Sequence, residues 1–212
     1  MLMIPIDTGN KAIKTENFEF HSGITALESM PGENEEALMF QDKYYRLSHE
    51  RNVYLPDKTL DDRYYLLTLF AIAKELEKLR QSRPFIPGEL ISMDLVVGLP
   101  PLYYRSQYKK FRDYFYREGR LVHCAYMGRS YRLTFSNVYV HMQTYAAYLY
   151  LAKELKLSTY PKVLMIDIGG YTLDYMLLEK GMILWNYTDS TGKGVISMYQ
   201  RVNKGCLLYT SP

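Results

Sequence analysis

VLMIDIGGYTLD, residues 163–174, sets an acid, two glycines, a threonine and a second acid into an otherwise apolar, strand-like run. A second stretch, IPIDTGNKAIKT at residues 4–15, follows the same grammar. In each, an apolar strand ends in aspartate, a glycine comes two residues later, and a new strand leaves at once. A glycine at that place lets the backbone approach a ligand, and the N–H groups of such a turn form an anion-binding nest. The strand-end aspartate repels a phosphate, so it makes sense there only with a divalent cation between the two. Magnesium suits that role, because it keeps several waters and takes one or two carboxylates plus phosphate oxygens. Lys14, on the strand leaving the first turn, adds a positive charge within reach of the phosphates. One Asp-x-Gly turn alone is usually just a turn. Two matched turns, each opening a sheet, are much harder to attribute to chance.

Neither turn fits the commoner phosphate motifs. The chain has no GxxxxGK[ST], which excludes a P-loop, and neither turn is a GxGxxG entering a helix, which disfavours a dinucleotide fold. The bulk properties agree with a soluble globular protein. The 212 residues, 48% of them hydrophobic, suffice for one large or two modest cores. A net charge of +3, with the basic residues interleaved among acids and tyrosines, gives no nucleic-acid footprint. The apolar runs fall short of the roughly 20 residues of a membrane span. Met1–Ile6 meets an aspartate too soon for a signal-peptide core, so a cytoplasmic location is expected. Cys124 and Cys206 are too few for a disulfide framework and lie in no metal-ligand spacing.

Periodicity organises the rest. Strands are expected at Ile4–Asp7, Ala12–Thr15 and Phe18–Phe20, an exposed loop at His21–Glu36, and a hairpin from Ala37 to Leu47. Thr59 is the expected cap of a helix through Leu60, Tyr64, Leu67, Phe70, Ala71, Ala73, Leu76 and Leu79, closed by Pro84 and Pro87. A buried strand follows over Leu90–Val97 and ends in Gly98-Leu99-Pro100. A tyrosine-rich helix spans Tyr104–Arg117, with Arg105–Arg112 as its solvated face and the tyrosines as cover over a core edge. Arg120–Phe135 reads as a hairpin, Val138–Val140 as a strand and Thr144–Leu155 as a helix. A second sheet opens with Val163–Ile166, Tyr171–Leu178 and Met182–Tyr187, with Trp185 expected in its core. Gly192-Lys193-Gly194 then opens a helix at Val195.

Four stretches together carry a resemblance: IDTGNKAIK (6–14), VVGLP (96–100), IDIGGYTLD (166–174) and DSTGKGV (189–195). Their order and spacing resemble the actin, heat-shock chaperone and sugar-kinase superfamily, and more closely the bacterial actins of the plasmid-segregation ParM/StbA type. The resemblance implies an α/β fold of actin-like, ribonuclease H-like type. Residues 1–160 would form a first domain, and 161–205 the opening strands of a second. It implies ATP and Mg2+ as cofactors, with Asp7 and Asp167 holding the hydrated metal. Gly9, Asn10, Gly169, Gly170 and Thr172 would bind phosphates, and Lys14 would contact the β- and γ-phosphates. Asp174 would be structural or act behind the metal.

The water-orienting residue should start the helix after the last strand of the first domain. In VYVHMQTYAAY (138–148) that is Gln143, with His141 as the competing choice; Met142 stands where many relatives have proline. A glutamine positions water for an in-line, mostly dissociative transfer without being a base. Asp167 would share the catalytic role. The implied protein polymerises head to tail into filaments, hydrolyses ATP to destabilise them, and meets DNA only through an adaptor protein. It contacts neither nucleic acid nor membrane directly. A non-polymerising member, either a small-molecule kinase or a cell-division scaffold that binds nucleotide, is the alternative. Finally, the last residues, CLLYTSP (206–212), reverse-translate to a transposon end used as a sequencing adapter. The expectation is therefore that 206–212 is an artefact, that the adenine pocket is missing, and that the fragment is inactive.

Overall fold

Strict alternation in Leu2–Thr8 (β1) turns Ile4, Ile6 and Thr8 into the core and Met3, Pro5 and Asp7 outward. In the computed structural model, which describes residues 2–32, 35–50, 55–86 and 88–209 (backbone alone for 204–209), β1 lies inside a nine-stranded sheet. The other strands are β2 (Ala12–Lys14), β3 (Glu19–His21), β4 (Ile24–Leu27), β5 (Leu38–Phe40), β6 (Lys43–Leu47), β7 (Leu90–Leu99), β8 (Val122–Tyr126) and β9 (Arg129–Met142). Their order is β3-β2-β1-β7-β9-β8-β5-β6-β4. β1 and β7 run parallel, with Ile4 opposite Leu95 and Ile6 opposite Val97. The second half of β7, Leu95–Leu99, is apolar on both faces, as a strand buried inside a sheet requires.

Helix α1 (Arg63–Arg80) packs on β1, β2, β5 and β8, and buries Tyr65, Leu67, Leu69, Phe70, Ile72 and Leu76 almost completely. Its buried Glu75 accepts from Thr15 Oγ1, from the Asn17 amide at 3.0 Å and from Asn17 Nδ2 at 2.7 Å. That carboxylate pins the β2–β3 turn to the helix. Phe111 and Phe115 of α2 (Pro101–Tyr116) meet edge to face at 4.9 Å, and Phe115 stacks on Tyr65.

The chain divides into two compact units, residues 1–98 with 107–140, and residues 99–106 with 141–212. The second holds α3 (Gln143–Glu154), the antiparallel meander β10 (Lys162–Ile168), β11 (Leu173–Glu179) and β12 (Met182–Thr191), and α4 (Val195–Tyr209). Met142 and Tyr148 pack with Met176 and Leu178 on one face of the meander, joined by Tyr145, Val163, Met165 and Ile183. The side chains of the opposite face stay open, with Leu164, Ile166 and Ile168 each more than half exposed.

Several expectations need correction. The supposed loop 21–36 contains β4, which pairs with β6 in the register Ile24 to Leu47. Thr59 does not cap α1, because its amide and hydroxyl both turn to Asp57 Oδ1, at 2.9 and 2.7 Å. Leu60 is exposed and precedes the helix, whose early Tyr65 amide donates to the Tyr114 hydroxyl at 2.7 Å. The segments 129–135 and 138–140 are one strand, β9, because Asn137 and Ser136 find polar partners on β7. Asn137 Nδ2 donates to Asp94 at 2.9 Å, and the Ser136 and Ser92 hydroxyls lie 2.6 Å apart. Trp185 is 38% exposed, with the Arg105 guanidinium 5.1 Å above its ring, so it caps an edge and is not core. The expected helix at Val195 extends to Tyr209, while residues 210–212 of the supposed artefact, Pro87, and Glu33-Asn34 of the supposed loop lie outside the described residues.

Candidate functional site

The first turn, Asp7 to Asn10, joins β1 to β2 and is held through Thr8, Gly9 and Asn10. Thr8 is fully buried, and its hydroxyl donates to the Gly98 carbonyl at 3.2 Å, which ties the turn to the end of β7. The Thr8 carbonyl accepts from Lys58 Nζ, the Gly9 carbonyl from Ser22 Oγ at 2.6 Å, and Asn10 Oδ1 from the Tyr64 hydroxyl. A trans peptide is planar, with its C=O and N–H pointing opposite ways. Drawing the Thr8 and Gly9 carbonyls inward therefore aims the Gly9 and Asn10 N–H groups away from those donors, as an anion nest needs. Gly9 is obligatory for the close approach: a Cβ there would stand 2.6 Å from the Ala12 carbonyl oxygen.

Asp7 is exposed at the end of β1, and its register partner across the ladder is Lys14. Lys14 keeps its Nζ 4.0 Å from Glu19 in a pair that is more than half exposed on both sides. Such a pair is worth little, so Lys14 can leave it for a phosphate at small cost.

The second turn, residues 169–172, is built by different means to the same effect. The Gly169 amide donates to the Thr172 carbonyl at 2.9 Å. The carbonyls of Gly169, Gly170 and Tyr171 accept from the amides of Val195 (3.0 Å), Ile196 (2.9 Å) and Gly194 (3.1 Å). The start of α4 thus satisfies its own first amides on the turn, and the planar-peptide argument aims the N–H groups of Gly170, Tyr171 and Thr172 the other way. Gly194 is needed for this contact, since a Cβ would lie 2.5 Å from the Tyr171 carbonyl carbon and 2.6 Å from Gly170.

Asp167 is exposed and stands directly opposite Asp174, which is buried, in the β10–β11 ladder. Like charges facing across a ladder destabilise it, and a cation beside them relieves that. Among the described residues no group of three or more His, Cys, Asp or Glu side chains gathers as a metal cage. Carboxylates so placed suit an ion that keeps its waters and takes phosphate oxygens, which is how magnesium binds.

Gln143 is the first residue of α3, directly after β9, and is half-buried; His141 is exposed at the end of β9. Gly169, Gly170 and Thr172 lie in the second turn, and Gly9 and Asn10 in the first. Lys58, Ser22, Tyr64 and Gly194 are structural partners of the turns that the sequence does not flag. Lysine reads as surface and Gly194 as a helix opener, and only the long-range contacts reveal them. Cys124 is buried, which pushes its thiol up to about 12 and leaves it unreactive.

No protein-family model and no curated protein matches the sequence. Solved structures do. The AlfA filament bound to AMPPNP aligns with TM-score 0.65 at 18% identity, over 97% of this chain and 77% of that one. The actin-like protein Alp7A aligns with TM-score 0.73 at 13% identity, over 99% and 65%. The archaeal actin homologue Ta0583 in complex with ADP aligns with TM-score 0.73 at 15% identity, over 99% and 67%. The chain has the actin-like fold along nearly its whole length, and it spans about two thirds to three quarters of these structures.

Proposed function

We propose that this chain is the phosphate-gripping part of an actin-like ATPase of the plasmid-segregation type, one that polymerises with ATP and magnesium. The observation that carries the reading is the shared construction of the two turns: in each, donors from elsewhere in the fold draw the carbonyls to one side and leave the amides to the other. The names of the structural relatives, filaments and nucleotide complexes among them, support the same reading.

In this proposal Gly9, Asn10, Gly170 and Thr172 receive phosphate oxygens through amides and, at Thr172, a hydroxyl. Gly169 gives the second turn its close backbone approach, and Lys14 swings from Glu19 to the β- and γ-phosphates. Asp7 and Asp167 hold hydrated magnesium, with Asp174 behind them. The bound magnesium-nucleotide supplies the transferable phosphoryl group. Gln143 orients the attacking water, with His141 the residue to compare against it. Residues 1–160 and 161–205 are the first domain and the start of the second.

Filament growth requires a heterologous, non-closing contact between copies. DNA capture is left to an adaptor protein, in keeping with the small net charge of +3. The protein works in the cytoplasm. No helix among the described residues is long and apolar enough to cross a membrane.

Sedimentation of the complete protein tests the reading. Magnesium-ATP should move it to the pellet and chelation should release it. A protein that stays in solution with ATP while phosphorylating a small acceptor is a kinase of the same fold, and one that does neither is a nucleotide-binding scaffold.

A further inference from the structure

Lys58 is a lysine in an unusual place. It is only 3% exposed, its Nζ donates to the Thr8 carbonyl, and the same ammonium lies 5.1 Å over the ring of buried Tyr64. Lysine is almost never fully buried unless a partner compensates the lost hydration. Two of its contacts lead to the first turn. One is direct, through Thr8; the other runs through Tyr64, whose hydroxyl donates to Asn10 Oδ1.

We propose that Lys58 is a positioning residue for phosphate binding at the first turn: its buried cation orients and polarises the Thr8–Gly9 peptide so that the Gly9 amide becomes a strong anion donor. The inference rests on reading that turn as a phosphate hairpin. The physical basis is one planar unit. Lys58 takes the carbonyl end of the Thr8–Gly9 peptide, so the amide end points away from it, and charge on one end of a hydrogen-bonded peptide strengthens the donor at the other. Lys58 itself touches no phosphate, in contrast to Lys14, which is exposed and free to move. The neighbouring sequence keeps Lys58 in place. Asp57 is engaged by Thr59 and by Lys110 at 2.6 Å, which anchors the segment on both sides.

The test uses the 212-residue chain, with magnesium pyrophosphate as probe and amide chemical shifts as readout. Lys58→Met removes charge and donor, Lys58→Gln keeps a donor without charge, and Lys58→Arg keeps the charge. Expected are saturable shifts at Gly9 and Asn10 in the natural chain, with affinity about tenfold weaker in both neutral variants, the effect of losing one charge-assisted contact. Lys58→Arg should recover most of the affinity. Shifts at Gly170 to Thr172 should be the same in all four proteins. The Gly9 amide should also move in ligand-free Lys58→Met, which reports orientation without any anion. Wild-type affinity at the first turn in both neutral variants overturns the proposal while leaving the hairpin reading intact. Absence of saturable shifts in the natural chain overturns the hairpin reading itself. Global unfolding of both neutral variants also overturns the proposal, because Lys58 is then a strut of the core.

Discussion

Replacing Gly194 with alanine perturbs the second turn without replacing any residue of it. The added methyl would stand 2.5 Å from the Tyr171 carbonyl carbon and 2.6 Å from the Gly170 carbonyl carbon and oxygen. Carbon atoms rest at about 3.5–4.0 Å, so α4 and the turn must part by about 1 Å. The three bonds from Gly194, Val195 and Ile196, now 2.9 to 3.1 Å long, would stretch to about 4 Å and cease to be hydrogen bonds. At about 0.5–1.5 kcal/mol each, with water replacing part of the loss at this half-exposed edge, the cost is about 2 kcal/mol. In urea that lowers the unfolding midpoint by about 1 M, taking a slope of about 2 kcal/mol/M. Hydrogen exchange should locate the damage at Val195 and Ile196. Gly192→Ala is the control, since a Cβ there meets nothing within 4 Å, and it should change little. If Gly194→Ala kept the natural midpoint and the natural protection at Val195 and Ile196, the claim that α4 holds the turn would be wrong.

Three further outcomes follow from the same structure. Glu75→Ala strips three donors of their acceptor at a buried site and should cost about 3 kcal/mol, with Glu75→Gln at about half that, read by denaturant unfolding. Burial raises the pKa of Glu36, but hydrogen bonds from Lys74 and Tyr126 outweigh it, so the net shift is below the ordinary value of 4.5. A depressed carboxylate stabilises the fold above its unfolded pKa and loses that contribution as pH falls through the folded one. The melting temperature of the natural chain should therefore fall toward that of Glu36→Gln as the pH drops below 4.5, with a difference at neutral pH of about 1 kcal/mol or less, since the site is partly solvated. Ile166→Lys, on the open face of the β10–β12 meander, should reduce dye binding to exposed apolar surface and slow aggregation while leaving the melting temperature nearly unchanged.

What the sequence made legible was local. The strand-Asp-x-Gly-strand pattern placed β1, β2, β10 and β11, and apolar periodicity placed α1 and α3, because those signals lie within a dozen residues. What it hid depends on partners far along the chain. β4 reads as loop because Ile24–Leu27 is a short segment between Gly23 and Glu28, and its partner β6 lies some twenty residues on. β9 was cut at Asn137, whose polarity is satisfied by Asp94 on β7. Thr59 reads as a cap because nothing in its local sequence shows that Asp57 claims its amide and hydroxyl. Lys58 could not be found at all, since burial of a lysine is set by Thr8 and Tyr64 and leaves no local mark. The candidate phosphate residues stood out in the sequence; the groups that orient them did not.

The central proposal is that each of the two turns grips phosphate beside a magnesium-holding aspartate, and magnesium-dependent ATP hydrolysis by the complete protein tests it most directly. Asp7→Ala and Asp167→Ala are each made alone, with circular dichroism confirming that the fold is kept. The account predicts that either substitution by itself abolishes phosphate release. Full turnover in either single variant would contradict it.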